Sequence, residues 1–374
     1  MKYTIPIALA FVSATLSYAQ NSASYAQGLL QALQSANLTM LASAAGNSSD
    51  LVAALQSGGN KTVLAPTNDA FAALGATPSE DLLHAIITYH VINSTVSVAD
   101  VSAAGNNVSS TLLKDDDFVS LPNDRAQVVV LSKDAGNGTV LIKEASRNVT
   151  FNLTSDGPTY DNLLVQPINT VLSIPGNLST VASSLGYSSF ADAASGAQLI
   201  QTLSDAETGL TIFVPNNDAF QAAKSEMASA DRSAVQNILR NHVINGTVAY
   251  STLLTGPNAV ASVVSASGNS LTFGAGSNGG LTVTSGNVTA NIIRTDVLLS
   301  NGVIHVIDSV LATTTTNPEA AASAFHSATS AAAARPSAGI SGSSAGSNGA
   351  VGGAVGSVAL VAAAAVAGAL ALMS

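Results

Sequence analysis

The sequence has no cysteine, no tryptophan and little charge, and each of these absences narrows the possible functions. Without cysteine there is no disulfide framework, thiolate zinc site or cysteine nucleophile. Charged residues make up 9% of the 374 residues, against about 25% in an average soluble protein. The 12 Lys and Arg form no cluster and are outnumbered by 22 Asp and Glu, giving a net charge of -10. This charge pattern argues against nucleic acid as a partner, because phosphate binding needs clustered cations.

The two ends of the chain resemble targeting signals. Residues 1–19 carry Lys2, an apolar run, and small residues at Ser17 and Ala19, which predicts a signal peptide cleaved before Gln20. Residues 349–374 are small and apolar with no terminal cation, as in a signal for a glycosylphosphatidylinositol (GPI) lipid anchor. We expect Asn348 to be the attachment residue. A single membrane-spanning helix is the alternative for this tail.

Asn-X-Ser/Thr sequons recur along the chain and fit a secreted glycoprotein. We expect N-linked glycans on exposed members of the set Asn37, Asn47, Asn60, Asn93, Asn107, Asn137, Asn148, Asn152, Asn177, Asn245 and Asn287. Residues 313–348 are rich in Ser, Ala, Gly and Thr with few apolar anchors, so we expect a flexible stalk.

The region between the leader and the stalk is an internal repeat. Residues 63–71 (VLAPTNDAF) match residues 212–220, residues 89–96 (YHVINSTV) match 241–248, and residues 162–172 match 301–311. Three ordered matches about 140–150 residues apart predict a duplicated domain, since solenoid repeats have periods of 20–50 residues. We place the first domain at 20–174 and the second at 175–312.

Within each unit, helical periodicity comes first and β-branched alternation follows. In the first unit we predict a short strand at Val63–Ala65, then a helix capped by Thr67 or Asn68, then a helix from about Ser79 to His90. The strands predicted after these helices are Gln127–Leu131, Thr139–Lys143, Asn148–Thr154 and Leu163–Leu172, with counterparts at Ala259–Val264, Leu271–Phe273, Leu281–Thr284, Val288–Arg294 and Val303–Leu311. Helices segregated from an antiparallel sheet make an α+β fold.

The repeated blocks resemble the fasciclin adhesion domain. The similarity rests on TVLAPTNDAFAAL, on YHVI some twenty residues later, and on the closing NGVIHVIDSVL. It implies two tandem domains, each a β-wedge or sandwich packed against a small helical lobe. It also implies a secreted or GPI-anchored glycoprotein without catalytic residues, cofactor or metal. The stalk, which lacks alternating prolines, is closer to fungal members than to plant arabinogalactan proteins.

The resemblance implies that the partners are proteins or glycans of the cell surface, cell wall or matrix. Weak homophilic contacts between copies of this protein are a further possibility that it implies. In animal relatives a Tyr-His segment is implicated in integrin binding. The candidates here are Tyr89, His90 and His242, although Asn241 replaces the tyrosine in the second unit. We expect localisation at the outer face of the plasma membrane or in the cell wall.

Two other functions stay open from the sequence. A hydrolase would need a nucleophile beside a histidine–carboxylate couple, such as Asp69 with His90 or Asp218 with His242. No nucleophile elbow lies in the repeated region, and the Gly274–Gly279 string reads as a hairpin turn. A carrier of lipid or another apolar ligand would need an enclosed cavity of roughly 300 Å3 or more between helices and sheet.

Overall fold

The computed structural model describes residues 23–333 except 76–77, 103–104, 135, 137, 152–158, 256–258 and 277–278. The first domain begins with helix α1 (residues 23–35), followed by α2 (Thr39–Gly46) and α3 (Ser49–Gln56). Strand β1 (Lys61–Pro66) leads into α4 (Asn68–Ala72) and α5 (Glu80–Tyr89), and the chain then enters strand β2 (Val91–Ile92). The remaining strands are β3 (Asn106–Ser110), β4 (Val128–Lys133), β5 (Val140–Lys143), β6 (Asn148–Phe151), β7 (Thr159–Tyr160) and β8 (Leu163–Ile168).

The second domain repeats this order. Helices α6 (Leu178–Ser184), α7 (Ser188–Gly196) and α8 (Ile200–Ser204) precede β9 (Leu210–Pro215), which leads into α9 (Asn217–Ser229) and α10 (Arg232–Asn241). The later elements are β10 (Val243–Asn245), α11 (Ser251–Leu254), β11 (Ser262–Val264), β12 (Ser270–Ala275), β13 (Leu281–Ser285), β14 (Val288–Leu299) and β15 (Gly302–Ile307). The expected α+β class is confirmed.

The predicted helix starts lie where local chemistry puts them. The Thr67 hydroxyl accepts a hydrogen bond from the Ala70 amide and so caps α4. Ser79 caps α5 in the same way, and Glu80 and Asp81 stand in its first turn. Both arrangements use side chains to satisfy amides that the helix leaves unpaired, and the acidic residues favour the positive helix end.

Each domain contains a parallel strand pair, which differs from the wholly antiparallel sheets expected. The sheet orders are β2-β1-β8-β7 and β3-β4-β5-β6 in the first domain and β10-β9-β15-β14-β13-β12-β11 in the second. Strand β1 is parallel to β8, and β9 is parallel to β15. The first and last repeated blocks therefore meet at the centre of each domain. Strands β12 and β13 are antiparallel, with Ala275 opposite Leu281, so a hairpin follows Gly274 as predicted. Residues 277–278 of the predicted turn lie outside the described residues.

The segment after the second domain also differs from the expected stalk, because it contains helix α12 (Pro318–Ala333). Asn317 caps this helix by accepting from the Ala320 amide, and its own amide donates to the Ser267 carbonyl. Alanine has the highest helix propensity, which composition-based reasoning about disorder overlooks. A half-buried stripe runs along the helix through Ala320, Ala321, Ala324, Phe325, Ala328, Thr329 and Ala332.

Candidate functional site

The Tyr-His segment of the first domain is inside the protein. Helix α5 ends at Tyr89, and the side chains of Tyr89 and His90 are 3% and 1% exposed. His90 Nε2 accepts a hydrogen bond from the Leu172 amide at 2.9 Å. The proton is therefore on Nδ1, which donates to the Ile86 carbonyl at 2.6 Å. Burial lowers the pKa of His90 to about 4, so the ring is neutral.

The second domain builds the same arrangement. His242 Nδ1 donates to the Ile238 carbonyl at 2.8 Å, and Nε2 accepts from the Leu311 amide at 2.9 Å. Burial again lowers the pKa, to about 4. In both domains the imidazole joins the end of a helix to the segment after the last strand. Backbone groups are hydrogen-bonded to both nitrogens of each ring. Neither the His90–Asp69 couple nor the His242–Asp218 couple that a hydrolase would need is therefore formed.

The residue before each histidine differs in chemistry. Tyr89 packs in an apolar cluster with Leu64, Leu113 and Ile168, and burial raises the pKa of its phenol. Asn241 is fully buried and instead centres a polar network. Its Nδ2 donates to the Ser285 hydroxyl and the Leu311 carbonyl, both at 3.0 Å. Its Oδ1 accepts from the hydroxyls of Ser265 and Ser267 and from Asn269 Nδ2.

The remaining buried histidine has a backbone role too. His305 Nε2 donates to the Ala249 carbonyl at 2.8 Å, and its ring stacks on Phe213 with centroids 5.5 Å apart. Burial lowers its pKa, and the nearby Asp296 carboxylate opposes that shift. Within the described ranges, no group of three or more His, Asp or Glu is placed to hold a metal ion.

An open cleft of about 560 Å3 lies where the two domains join. Its apolar wall comes from the α4–α5 region, from Phe118, and from the connection between the domains. Polar residues also line it, among them Asp117, Arg147 and Asn177. The apolar lining residues are Leu74, Leu82, Ile86, Phe118, Val171, Leu172, Ile174 and Pro175.

The buried Tyr-His segment reaches this cleft indirectly. Ile86 and Leu172, whose backbone groups bond the His90 ring, both line the cleft. Sequence reasoning pointed to His90 but missed the surface that it supports. Leu74, Phe118 and Arg147 are far apart in the chain and share no motif, so no sequence signal marks them as neighbours.

A second cavity, in the interior of the first domain, is much smaller. It has a volume of about 20 Å3 and lies between the helical lobe and the sheet, lined by Leu29, Leu51 and Leu163 among others. This volume is close to that of one water-sized probe. It is far below the roughly 300 Å3 expected of a carrier pocket.

The two domains contact each other directly along a surface that we call the seam, formed by residues 106, 127–130 and 144–145 of the first domain and 250, 294–299 and 303 of the second. Gln127 is fully buried there, and its Nε2 donates to the Leu299 carbonyl at 3.0 Å. Arg294 donates to the carbonyls of Glu144 and Ala145 at 2.9 and 2.6 Å. An apolar cluster joins the two sides through Val128, Val130, Tyr250, Leu298 and Val303.

Most of the described sequon asparagines are on the surface. Asn107 is the half-buried exception, with Oδ1 accepting from the Ser102 amide and Nδ2 donating to the Asp100 carbonyl. The exposed ones are Asn37, Asn47, Asn60, Asn93, Asn148, Asn177, Asn245 and Asn287. Asn137, Asn152 and the anchor candidate Asn348 lie outside the described residues.

Comparison with known proteins supports what the repeat and the fold indicate. The fasciclin domain family model matches residues 36–175 and 185–313. The chain is 25% identical to fasciclin-like arabinogalactan protein CTB11 of Cercospora beticola, over 70% of each protein. It is 26% identical to fasciclin-like arabinogalactan protein elcF of Phaeosphaeria nodorum, over 67% of this chain and 78% of that protein. A solved FAS1 domain pair from the insect cell adhesion molecule fasciclin I aligns with 71% of this chain and 93% of its own at 17% identity, with a TM-score of 0.34.

Proposed function

This chain belongs to the fasciclin domain family, and we propose on that premise that it is a cell-surface glycoprotein that mediates adhesion or contact with the cell wall or matrix. Members of the family are generally non-enzymatic proteins of the adhesion and glycoprotein type. Its fungal relatives carry the name fasciclin-like arabinogalactan protein, and another relative is Fasciclin-1 of Drosophila melanogaster.

The seam is the observation that carries this proposal. Gln127 and Arg294 tie the domains together with buried or half-buried hydrogen bonds, and an apolar cluster backs them. Two domains in a fixed arrangement present their outer faces together. Weak contacts on both faces then add through effective concentration, which suits adhesion between crowded surfaces.

The proposed route to the surface starts from a signal peptide at 1–19 and ends at a GPI anchor on Asn348, with 349–374 removed. Domains at 20–174 and 175–312 and a connecting segment at 313–348 complete the organisation. The connecting segment begins with helix α12, and Phe325 and Ala328 of this helix lie beside Gly246 of the second domain. Within the part of the chain that is described, no helix is long and apolar enough to cross a membrane.

Tyr89, His90 and His242 have a supporting role in this proposal. All three side chains are at most 3% exposed, so a partner meets the surfaces that they hold in place. His90 sets the positions of Ile86 and Leu172 at the junction cleft. His242 does the same for Ile238 and Leu311 in the second domain.

Attachment of cells that display the full protein tests the proposal. Arg294→Ala removes the hydrogen bonds to Glu144 and Ala145. Arg232→Ala is the matched control, because Arg232 donates to the Gly196 carbonyl within the second domain. We expect attachment to fall with Arg294→Ala and to stay unchanged with Arg232→Ala. Treatment with a phosphatidylinositol-specific phospholipase is expected to release the wild-type protein and abolish attachment.

Two results would contradict the proposal. One is unchanged attachment of cells from which the protein has been deleted. The other is full attachment by Arg294→Ala after small-angle X-ray scattering has shown that its domains separate. The first rejects adhesion itself, and the second rejects the seam as its basis.

A further inference from the structure

We propose that Asn177 carries an N-linked glycan whose first sugars lie in the junction cleft and cover its apolar wall. This inference rests on the secretory route of the proposed function. It selects one acceptor from the set of sequons and assigns its glycan to the cleft as the occupant.

The acceptor asparagine is held in one orientation. Asn177 is exposed, opens the sequon Asn177-Leu178-Ser179, and lies on the lining of the cleft. Its Oδ1 accepts from the Thr180 amide at 3.0 Å and from the Thr180 hydroxyl at 2.9 Å. Among the described residues no hydrogen bond engages its Nδ2, the atom that an N-linked sugar occupies. The two hydrogen bonds from Thr180 therefore fix the plane of the Asn177 side-chain amide, and with it the direction in which a glycan on Nδ2 would extend.

The cleft has the chemistry that a sugar chain needs. A pyranose ring presents apolar C–H faces and a rim of hydroxyl groups. The half-buried Phe118 and the exposed Leu74 supply apolar surface for those faces. Asp117 and Arg147, which also line the cleft, supply an acceptor and donors for hydroxyls. The volume of about 560 Å3 is within the range of roughly 300–1,000 Å3 found for small-molecule sites.

Without an occupant, Leu74 on this wall faces water. Leu74 is 39% exposed and is one of the few exposed large apolar side chains among the described residues, whereas Ile86 and Leu172 in the same lining are buried. A glycan attached to Asn177 meets the wall at very high effective concentration, so even weak contacts per sugar hold it there.

The second domain provides an internal comparison. By the repeat, Ala223 stands where Leu74 stands in the first domain, and Ala234 replaces Leu82. The second domain therefore has small residues where the first domain has the two leucines of the wall. Asn177 caps α6 at the start of the second domain and lies on the lining beside those leucines.

The test uses the full chain secreted from a eukaryotic host. Ser179→Ala removes the sequon and keeps the Asn177 cap, whereas Ser179→Thr preserves the sequon. Asn287→Gln removes a remote, exposed acceptor in the turn between β13 and β14. Glycopeptide mass spectrometry measures occupancy, and the fluorescence of 8-anilinonaphthalene-1-sulfonate (ANS) measures exposed apolar surface.

We expect Asn177 to be occupied in the wild type and in Ser179→Thr. ANS fluorescence should rise several-fold in Ser179→Ala and stay unchanged in Asn287→Gln. Under native conditions an endoglycosidase should release the Asn177 glycan at least tenfold more slowly than the Asn287 glycan. Phe118→Ala should remove that protection without removing the glycan.

Two outcomes overturn the inference and leave the proposed function intact. In the first, Asn287 is occupied and Asn177 is bare. In the second, the Asn177 glycan is released as fast as the Asn287 glycan and Ser179→Ala leaves ANS fluorescence unchanged. If no sequon carries a glycan, the secretory route itself fails, and this inference fails with it.

Discussion

Acidification should destabilise both domains through their buried histidines. The pKa of His90 and of His242 is about 4 in the folded protein, against about 6.5 in an unfolded chain. Between these values the unfolded chain binds more protons than the folded one. Stability is therefore highest above pH 6.5 and is lost as the pH falls toward 4.

The size of the effect follows from the same two pKa values. A difference of about 2.5 units corresponds to about 3 kcal/mol per histidine once the pH is below 4. Between pH 7 and pH 5 the loss is about 2 kcal/mol for each ring. This is a large fraction of the 5–15 kcal/mol that stabilises a typical domain.

Urea unfolding of the secreted protein between pH 7 and pH 4.5 measures this loss. His90→Gln keeps a donor and an acceptor near the Ile86 carbonyl and the Leu172 amide but cannot titrate, so the first domain should lose its share of the pH dependence. His326→Gln is the control, because His326 is exposed on α12. Unchanged pH dependence in His90→Gln, or a His90 ring that titrates near pH 6.5 by NMR, would refute the reasoning.

Three further predictions concern packing. Gly302→Ala places a Cβ against the Leu210 carbonyl oxygen, so we expect the unfolding free energy to fall by about 3 kcal/mol or more. Urea titration measures this loss. Gly196→Ala is the control and should have little effect, because nothing lies within 4 Å of the added Cβ. Phe325→Ala removes the aromatic ring of α12 that lies beside Gly246 and leaves only Ala328 near it, so limited proteolysis should cut within 318–333 while the domains stay intact. Gln127→Ala leaves the buried Leu299 carbonyl without its side-chain donor, and we expect a loss of about 1–3 kcal/mol in the unfolding free energy.

Features of the fold that depend on local chemistry were predictable from the sequence. Thr67 and Ser79 cap helices because a short polar side chain precedes an apolar stripe at each place. Strand β3 (Asn106–Ser110) was missed, because its residues are mostly polar and all half-buried, with no alternation to find. Strand β14 was predicted to end at Arg294 but runs to Leu299. The prediction stopped early because irregularities in the pairing of β14 with β15 shift the register and hide the period of two.

The site was less predictable than the fold. His90 was found because it recurs in both units, and the structure shows that its ring bonds backbone groups of Ile86 and Leu172. The cleft was not found, because tertiary structure alone brings Leu74, Phe118 and Arg147 together. Helix α12 was missed because its low-complexity composition predicts disorder. Its half-buried stripe is formed by contact with the second domain, which the sequence of the segment alone does not reveal.

The parallel pairing of β1 with β8 has a consequence for biosynthesis. Lys61 pairs with Leu163, and the second domain pairs Leu210 with Gly302 in the same way. A ribosome adding about 5–20 residues per second needs roughly 5–20 s to make the intervening stretch of about 100 residues. During that interval the earlier strand has no neighbour on that side, so neither domain can close until its own last segment has emerged.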